Sequence, residues 1–284
     1  MTKTLFERVA IVGPGLIGGS IGMGLRTRGL AASVVGVGHR QVSLDAAVEL
    51  GAVDRGTLDL EEGVRGADLV LLCTSVTLIR EQAGRVVPLM KPGAVLSDVG
   101  SSKRQITDTV EALLAKRKAV AYLGTHPLAG TEQRGIRAAR EDLFERSVCV
   151  FCPTAHTTEA AAASLRTLWQ ALGAEVREYE PAVHDRLVSE ISHLPHVLAS
   201  ALANAVDPDA LVLAATGFRD TTRVAAGDPE LWAAIFLSNR ANVLESVEKL
   251  VGEVRTLTDA MDREDRGALL DALRRAKERR DSLP

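Results

Sequence analysis

Six histidines occur in 284 residues, and the placing of His126, His193 and His196 suggests proton exchange with a bound molecule. His126 follows the apolar run Tyr122–Thr125, at the expected carboxyl end of a strand. An imidazole titrates near neutrality, which suits a general base; the alternative is a structural loop histidine. His193 and His196 are three apart and so share a helix face, with Pro195 between them marking a first turn or a kink. They lack the carboxylate or cysteine companion that a metal pair needs. Ser101 follows another strand end, in Asp98-Val99-Gly100-Ser101-Ser102-Lys103. There its hydroxyl either orients His126 or a cofactor, or caps the next helix.

A second kind of chemistry lies near the start. Gly13-Pro14-Gly15-Leu16-Ile17-Gly18 follows the run Val9–Val12 and opens a helical segment. Glycine fills 24 of 284 positions, so the spacing alone says little, and the strand before and helix after carry the reading of a dinucleotide loop. Gly13 permits the tight turn, Gly15 lets backbone amides approach a pyrophosphate, and Gly18 lets the helix pack close to the strand. The helix N-terminus supplies the anion site, so Leu16 and Ile17 join the candidates, as does Thr74 after the next strand. Roughly 20 residues on, where an acidic residue would hold the ribose of NAD, stands Gly38, followed by His39 and Arg40. Nothing there repels a 2′-phosphate and a guanidinium can pair with it, which favours NADP over NAD with dual use open. The plainer alternative for Arg40 is an exposed helix-start arginine.

These groups need a scaffold. From Arg8 to about Glu180, short apolar runs alternate with helical segments: Val9–Val12, Ser33–Val37, Leu69–Cys73, Ala94–Asp98, Tyr122–Thr125, Val148–Phe151 and Glu175–Tyr179. The first four are near-continuously apolar, as strands covered on both faces must be. After Pro181 the strand pattern stops, and Val183, Leu187, Ile191, Leu194, Leu198 and Leu202 predict one long amphipathic helix. Val243, Val247, Leu250, Val254, Leu257 and Met261 form a heptad-like stripe. The expected fold is therefore α/β: a Rossmann-type, mainly parallel sheet over 1–180, followed by an all-helical dimerisation domain over 181–284. A helical domain of only about 100 residues with such stripes is expected to share its core with a twin chain, against the alternative of a monomeric bundle. Asp262 to Asp281 reads as a solvated helix face.

Composition narrows the partners. Thirty-four basic against thirty-seven acidic residues, without a basic block, give no reason to bind nucleic acid. Three cysteines, Cys73, Cys149 and Cys152, argue against a disulfide framework and for a reducing cytoplasmic setting. Cys149 and Cys152 are a C-x-x-C within a strand pattern, so they point to opposite faces and read as packed thiols. The apolar stretch Val9 to Leu25 carries glycines at motif spacing and no cleavage site, unlike a secretory leader. No stretch reaches the ~20 apolar residues of a membrane span.

Three segments, taken in order after the glycine loop, resemble the prephenate/arogenate dehydrogenase family of tyrosine biosynthesis. They are Gly124-Thr125-His126-Pro127-Leu128-Ala129-Gly130-Thr131-Glu132, His193-Leu194-Pro195-His196 and Gly217-Phe218-Arg219-Asp220-Thr221-Thr222-Arg223. The resemblance spans almost the whole chain, and together these segments are far more specific than the glycine fingerprint. It implies NAD(P)-dependent oxidative decarboxylation of a cyclohexadiene acid to an aromatic product, by a homodimer acting on a small molecule without a metal. By the same resemblance His126 is the general base, and Ser101 hydrogen-bonds near the reacting hydroxyl and the nicotinamide. Glu132 sits close to the substrate pocket, and Arg223 holds a substrate carboxylate, an anion that a planar guanidinium fits. His196 contacts the substrate's side-chain end with His193 supporting it, and Trp232 closes the partner subunit's pocket. No acidic residue in these segments awaits an ammonium, which favours prephenate, giving 4-hydroxyphenylpyruvate, over arogenate, giving tyrosine directly. Neither an appended regulatory domain nor a chorismate mutase fusion is expected, so inhibition by tyrosine would act at the active site.

Two other readings stay open. A β-hydroxyacid dehydrogenase would share the architecture but need a catalytic lysine in the helical half, where Lys249 sits in the long stripe without a supporting Asn motif. A non-catalytic dinucleotide sensor would leave His126, Ser101 and Arg223 with no common task. The spacing of Arg219 alone does not place it in a site.

Overall fold

The computed structural model describes residues 4–130 and 133–283. Its strands are β1 (Phe6–Val12), β2 (Ala31–Val37), β3 (Arg55–Thr57), β4 (Leu69–Leu72), β5 (Val95–Asp98), β6 (Ala121–Pro127), β7 (Val148–Cys152) and β8 (Glu175–Glu178). They form an eight-stranded sheet in the order β3-β2-β1-β4-β5-β6-β7-β8. Neighbours run parallel except β6 and β7, where His126 faces Val150 across an antiparallel pair. The chain leaves β1 toward β2 and returns to its other side as β4, and this reversal opens a crevice at the carboxyl ends of the strands. Two details differ from the sequence reading. β3 is an added strand, and β6 runs on through Pro127, so that His126 lies within a strand rather than after it.

The helices are α1 (Leu16–Thr27), α2 (Gln41–Glu49), α3 (Leu60–Val64), α4 (Val76–Val86), α5 (Arg104–Leu114) and α6 (Glu159–Ala171) among the strands. After them come α7 (Pro181–Val188), α8 (Leu194–Ala205), α9 (Thr216–Thr222), α10 (Pro229–Ser238), α11 (Arg240–Asp262) and α12 (Arg266–Asp281). Alternate residues of the buried strands serve opposite faces of the sheet. Val9, Ile11, Leu69 and Leu71 pack with Ile21 and Leu25 of α1 and Leu165, Leu168 and Trp169 of α6. Ala10, Val12, Val70 and Leu72 pack with Ile79 and Val86 of α4 and Ile106, Val110 and Leu114 of α5. Each fully buried large aliphatic side chain here contributes roughly 1.5–3 kcal/mol.

The helical half departs from the expected single helix. Between α7 and α8 the segment Ser189–His193 is a π-helical turn. Pro195 accounts for the break, because its ring opposes the carbonyl of Ile191 four residues earlier and a wider turn relieves that clash. In α11, Val243 is buried, but Val254 and Met261 of the same stripe are 47% and 56% exposed. α12 buries Ala272 and half-buries Ala268, Leu269 and Leu270, while its charged residues face solvent as the sequence predicts. Among the described residues no helix is long and apolar enough to cross a membrane.

Candidate active site

The glycine loop has the form of a phosphate cradle. Gly13 takes φ +90°, and a Cβ there would stand 2.7 Å from Thr74 Cγ2 and 2.9 Å from the Cys73 carbonyl. A Cβ on Gly18 would come within 2.5 Å of the Gly13 carbonyl. Above Gly15 the space is open. Gly15 is the N-cap of α1 and gives it no side-chain cap, and the first turn, with Leu16 and Ile17, has no acidic residue. Free amides at an uncapped helix start, reached over an open glycine, fit a dinucleotide's pyrophosphate. Past the end of β2, His39 and Arg40 are exposed. At the end of β2, Gly38 packs against Leu44, which a Cβ would meet at 3.0 Å, and it offers no carboxylate to a ribose hydroxyl.

Across the carboxyl ends from this loop, His126 is 8% exposed and lines a cleft of about 460 Å³. Ser101, His193, Arg223 and Trp232 line the same cleft, with Leu128 and Ile235 as apolar walls. The imidazole does not turn to Ser101. Its Nδ1 lies 2.8 Å from Nε2 of His184, leaving Nε2 for a molecule in the cleft. His184 Nδ1 is in turn 2.8 Å from Asp185 Oδ1. The same carboxylate accepts the backbone N–H of Lys103 (2.6 Å) and of Arg104 (3.0 Å), so a residue of α7 caps the uncapped start of α5. Ser101 therefore neither caps that helix nor holds His126.

Lys103 is fully buried beneath this arrangement. Its Nζ donates to Asp98 and, at 2.7 Å, to the carbonyl of Thr125 immediately before His126. Asp98 also accepts from Tyr122 (2.8 Å) and from the N–H of Gly100 (2.9 Å). A buried ion pair whose remaining donors and acceptors are engaged in this way fixes the ends of β5 and β6. On the far side, Asn239 Nδ2 donates to the Asp185 carbonyl (2.6 Å) and lies 3.2 Å from His193 Nδ1, while Asn242 donates to Asn239 Oδ1 (2.7 Å).

Burial dominates the electrostatics. It holds the pKa of His126 well below the ordinary imidazole value, with lesser contributions from His184, Lys103 and His193. His184 is lowered by burial, against the opposing effect of the hydrogen bond it donates to Asp185, and His193 is lowered by burial to about 4. Burial likewise lowers His196. Cys149 and Cys152 are buried and free, and burial pushes their thiols upward, Cys152 to about 12. They are packed thiols rather than thiolates at neutral pH.

Some expected residues are placed otherwise. His196 is stacked on Trp232 with ring centroids 3.6 Å apart, and it supports that indole rather than forming the cleft wall. Its buried Nδ1 has no hydrogen-bond partner in the protein. Trp232 lines the cleft of its own chain. Glu132 lies outside the described residues. Sequence reading missed His184, Asp185, Lys103, Asp98 and Asn239. The one local clue was the adjacent His184-Asp185 pair just after Pro181.

A glycine-turned cradle opening beside an imidazole-lined cleft, between a doubly wound sheet and a set of helices, defines an oxidoreductase that uses a nicotinamide dinucleotide. Residues 21–178 match the family profile described as prephenate dehydrogenase, nucleotide-binding domain, and 180–275 match prephenate dehydrogenase, dimerization domain. The chain belongs to the prephenate dehydrogenase family. A prephenate dehydrogenase of Bacillus subtilis is 30% identical over 288 residues, spanning 98% of this chain and 76% of the relative. The crystal structure of prephenate dehydrogenase from A. aeolicus in complex with hydroxyphenyl propionate and NAD+ superposes with TM-score 0.89 at 30% identity, covering 100% of this chain and 99% of that one. Synechocystis arogenate dehydrogenase gives TM-score 0.82 at 33% identity over 96% of this chain and 99% of that one. Family membership displaces the β-hydroxyacid dehydrogenase and sensor readings. Lys249, which the first of these would need, pairs on the surface with Glu245 at 2.8 Å and Glu190 at 3.4 Å.

Proposed function

We propose that the chain converts prephenate to 4-hydroxyphenylpyruvate and carbon dioxide, with NADP favoured over NAD. The observation that carries this is the convergence of His126, Ser101, His193, Arg223 and Trp232 on one cleft beside the glycine cradle. When bound, the dinucleotide supplies the acceptor for the hydride that leaves the carbinol carbon of the ring. His126 Nε2 takes the hydroxyl proton as that carbon is oxidised, and returns it to the phenolate oxygen that forms when carbon dioxide departs. The proton is thus borrowed, and none is released overall. Ser101 positions the hydroxyl, and Arg223 binds a substrate carboxylate through its planar fork. Trp232, backed by His196, packs against the substrate, and His193 supports the substrate end of the cleft. Aromatisation drives the reaction, so the protein's work is alignment and proton transfer. Gly13, Gly15, Leu16, Ile17, Gly18 and Thr74 hold the dinucleotide, and Glu132 is kept as a substrate-pocket residue.

The NADP preference rests on Gly38, which leaves the end of β2 without a carboxylate, and on exposed Arg40 and His39 beyond it. Division into 1–180 and 181–284 follows the gap between β8 and α7. The uncovered apolar stripe of α11 favours a homodimer, and three free cysteines suit the cytoplasm. The test follows reduced-nucleotide absorbance with prephenate and arogenate, each with NAD and NADP. Turnover of prephenate with NADP ahead of NAD is expected. No turnover in any of the four arms overturns the function, and a strong NAD preference overturns the cofactor choice.

A further inference from the structure

We infer that His184 and Asp185 are positioning residues that lock His126 in the Nδ1–H tautomer, so that Nε2 meets the substrate as a lone pair. This rests on His126 being the base proposed above.

The direction of each hydrogen bond follows from counting donors. Asp185 Oδ1 accepts from Lys103 N–H at 2.6 Å and Oδ2 from Arg104 N–H at 3.0 Å. Backbone amides can only donate, so each oxygen accepts one, the pattern of a carboxylate, which has no hydrogen of its own to give. His184 Nδ1, 2.8 Å from Oδ1, must therefore carry a hydrogen. A neutral imidazole has one N–H, which makes His184 Nε2 an acceptor. His126 Nδ1, 2.8 Å away, must then donate to it. Both rings are buried, and burial disfavours the charged form of either, which would spoil the count.

The consequence is chemical. In the other tautomer His126 would offer an N–H to the substrate hydroxyl, a group that has to lose a proton. Once Nε2 is protonated, the Nδ1–H bond to His184 strengthens, because its donor is then charged. Asp185 serves twice: the carboxylate that orients His184 is also the cap of α5. The order of the chain is thus α5 start, Asp185, His184, His126, cleft.

The experiment uses full-length protein labelled with nitrogen-15 histidine and no bound cofactor, observed by two-bond proton–nitrogen correlation. The signals of His126 are those that vanish in His126→Asn. Wild type should show His126 protonated at Nδ1 and bare at Nε2. His184→Leu, which removes the acceptor, should shift His126 to Nε2–H and lower kcat by roughly 100-fold, with cofactor affinity unchanged. His184→Gln places an amide oxygen near the lost Nε2 and should restore the Nδ1–H signature and most of the turnover. An Nε2–H signature in wild type, or a His184→Leu variant that keeps both tautomer and kcat, overturns the inference. The wild-type spectrum needs no variant, so misfolding of His184→Leu does not shield the proposal. It needs no turnover either: an inactive protein with the Nδ1–H signature would refute the function and leave the tautomer lock standing, and an active one with Nε2–H would do the reverse.

Discussion

The two halves of the molecule bury hydrocarbon and polar groups in very different proportions. In the described part of the sheet half the buried set is mostly hydrocarbon: Ile11, Leu69, Leu71 and Leu72 have no exposure at all, and Asp98, Lys103 and His126 belong to a polar minority. In the described part of the helical half, six apolar residues are buried (Val188, Ala199, Ile235, Val243, Ala260, Ala272), against seven polar ones (His184, Asp185, Ser189, His193, His196, Asn239, Ser246). Larger apolar side chains there, such as Leu244, Val254 and Met261, are 47–56% exposed. The sheet half is thus stabilised by its own core, whereas the helical half spends its interior on holding imidazoles and leaves its hydrocarbon for another surface. Most of the stability comes from the sheet half, while the chemistry draws on both: His126 stands on β6 and the groups that hold it stand on α7.

That contrast can be broken or sharpened by experiment. The largest effect expected is in the sheet: Leu71→Ala should lower unfolding free energy by about 2–5 kcal/mol, read as a shift in denaturant midpoint at every protein concentration. Nearly as large is the loss of the base, where His126→Asn should cut turnover about a hundredfold or more while cofactor affinity, measured by fluorescence titration, stays the same. Arg223→Ala should raise KM by the equivalent of about 1.5–3 kcal/mol with less effect on kcat. Val254→Asp should leave the midpoint nearly unchanged when dilute and convert the dimer to a 30.2 kDa monomer by sedimentation. A dimer that survives this change would mean that the stripe of α11 is not what a second copy covers.

A further expectation concerns pH. The folded pKa of His193 is lowered from 6.5 to about 4 by burial. The unfolded chain therefore binds the proton first, and the stabilisation is complete above pH 6.5 and lost as pH falls toward about 4. A urea midpoint that declines across this window, with a flatter decline in His193→Asn, is the expected result. The lowered pKa of His126 similarly places the acid limb of kcat/KM below pH 6.5.

What could be read from the sequence was local. The glycine loop declares itself within six residues, because turn, amide approach and helix packing act on near neighbours. The long strands declare themselves by unbroken apolar runs, while Arg55-Gly56-Thr57, short and partly polar, carries no such pattern. His126 and Arg223 were found through segments whose order is distinctive. His184 was not, because its partner is 58 positions away, and Asp185 bonds to amides 81 and 82 positions away. Lys103 gave no signal, since nothing in its neighbours foretells a fully enclosed ammonium. The expectation of one continuous helix failed at Pro195, whose cost was absorbed by a wider turn rather than an end.

That wider turn has a consequence for the gene. Ser189–His193 holds one residue more per turn than an α-helix does, and Pro195 is what calls for it. Losing a single codon there would tighten the turn to α-helix, which spans nearly the same arc with one residue fewer, and so bring the proline ring back against the carbonyl four residues before it. The helix beyond would keep its phase and carry the clash instead. The extra residue is thus what lets a proline stand in mid-helix between His193 and His196.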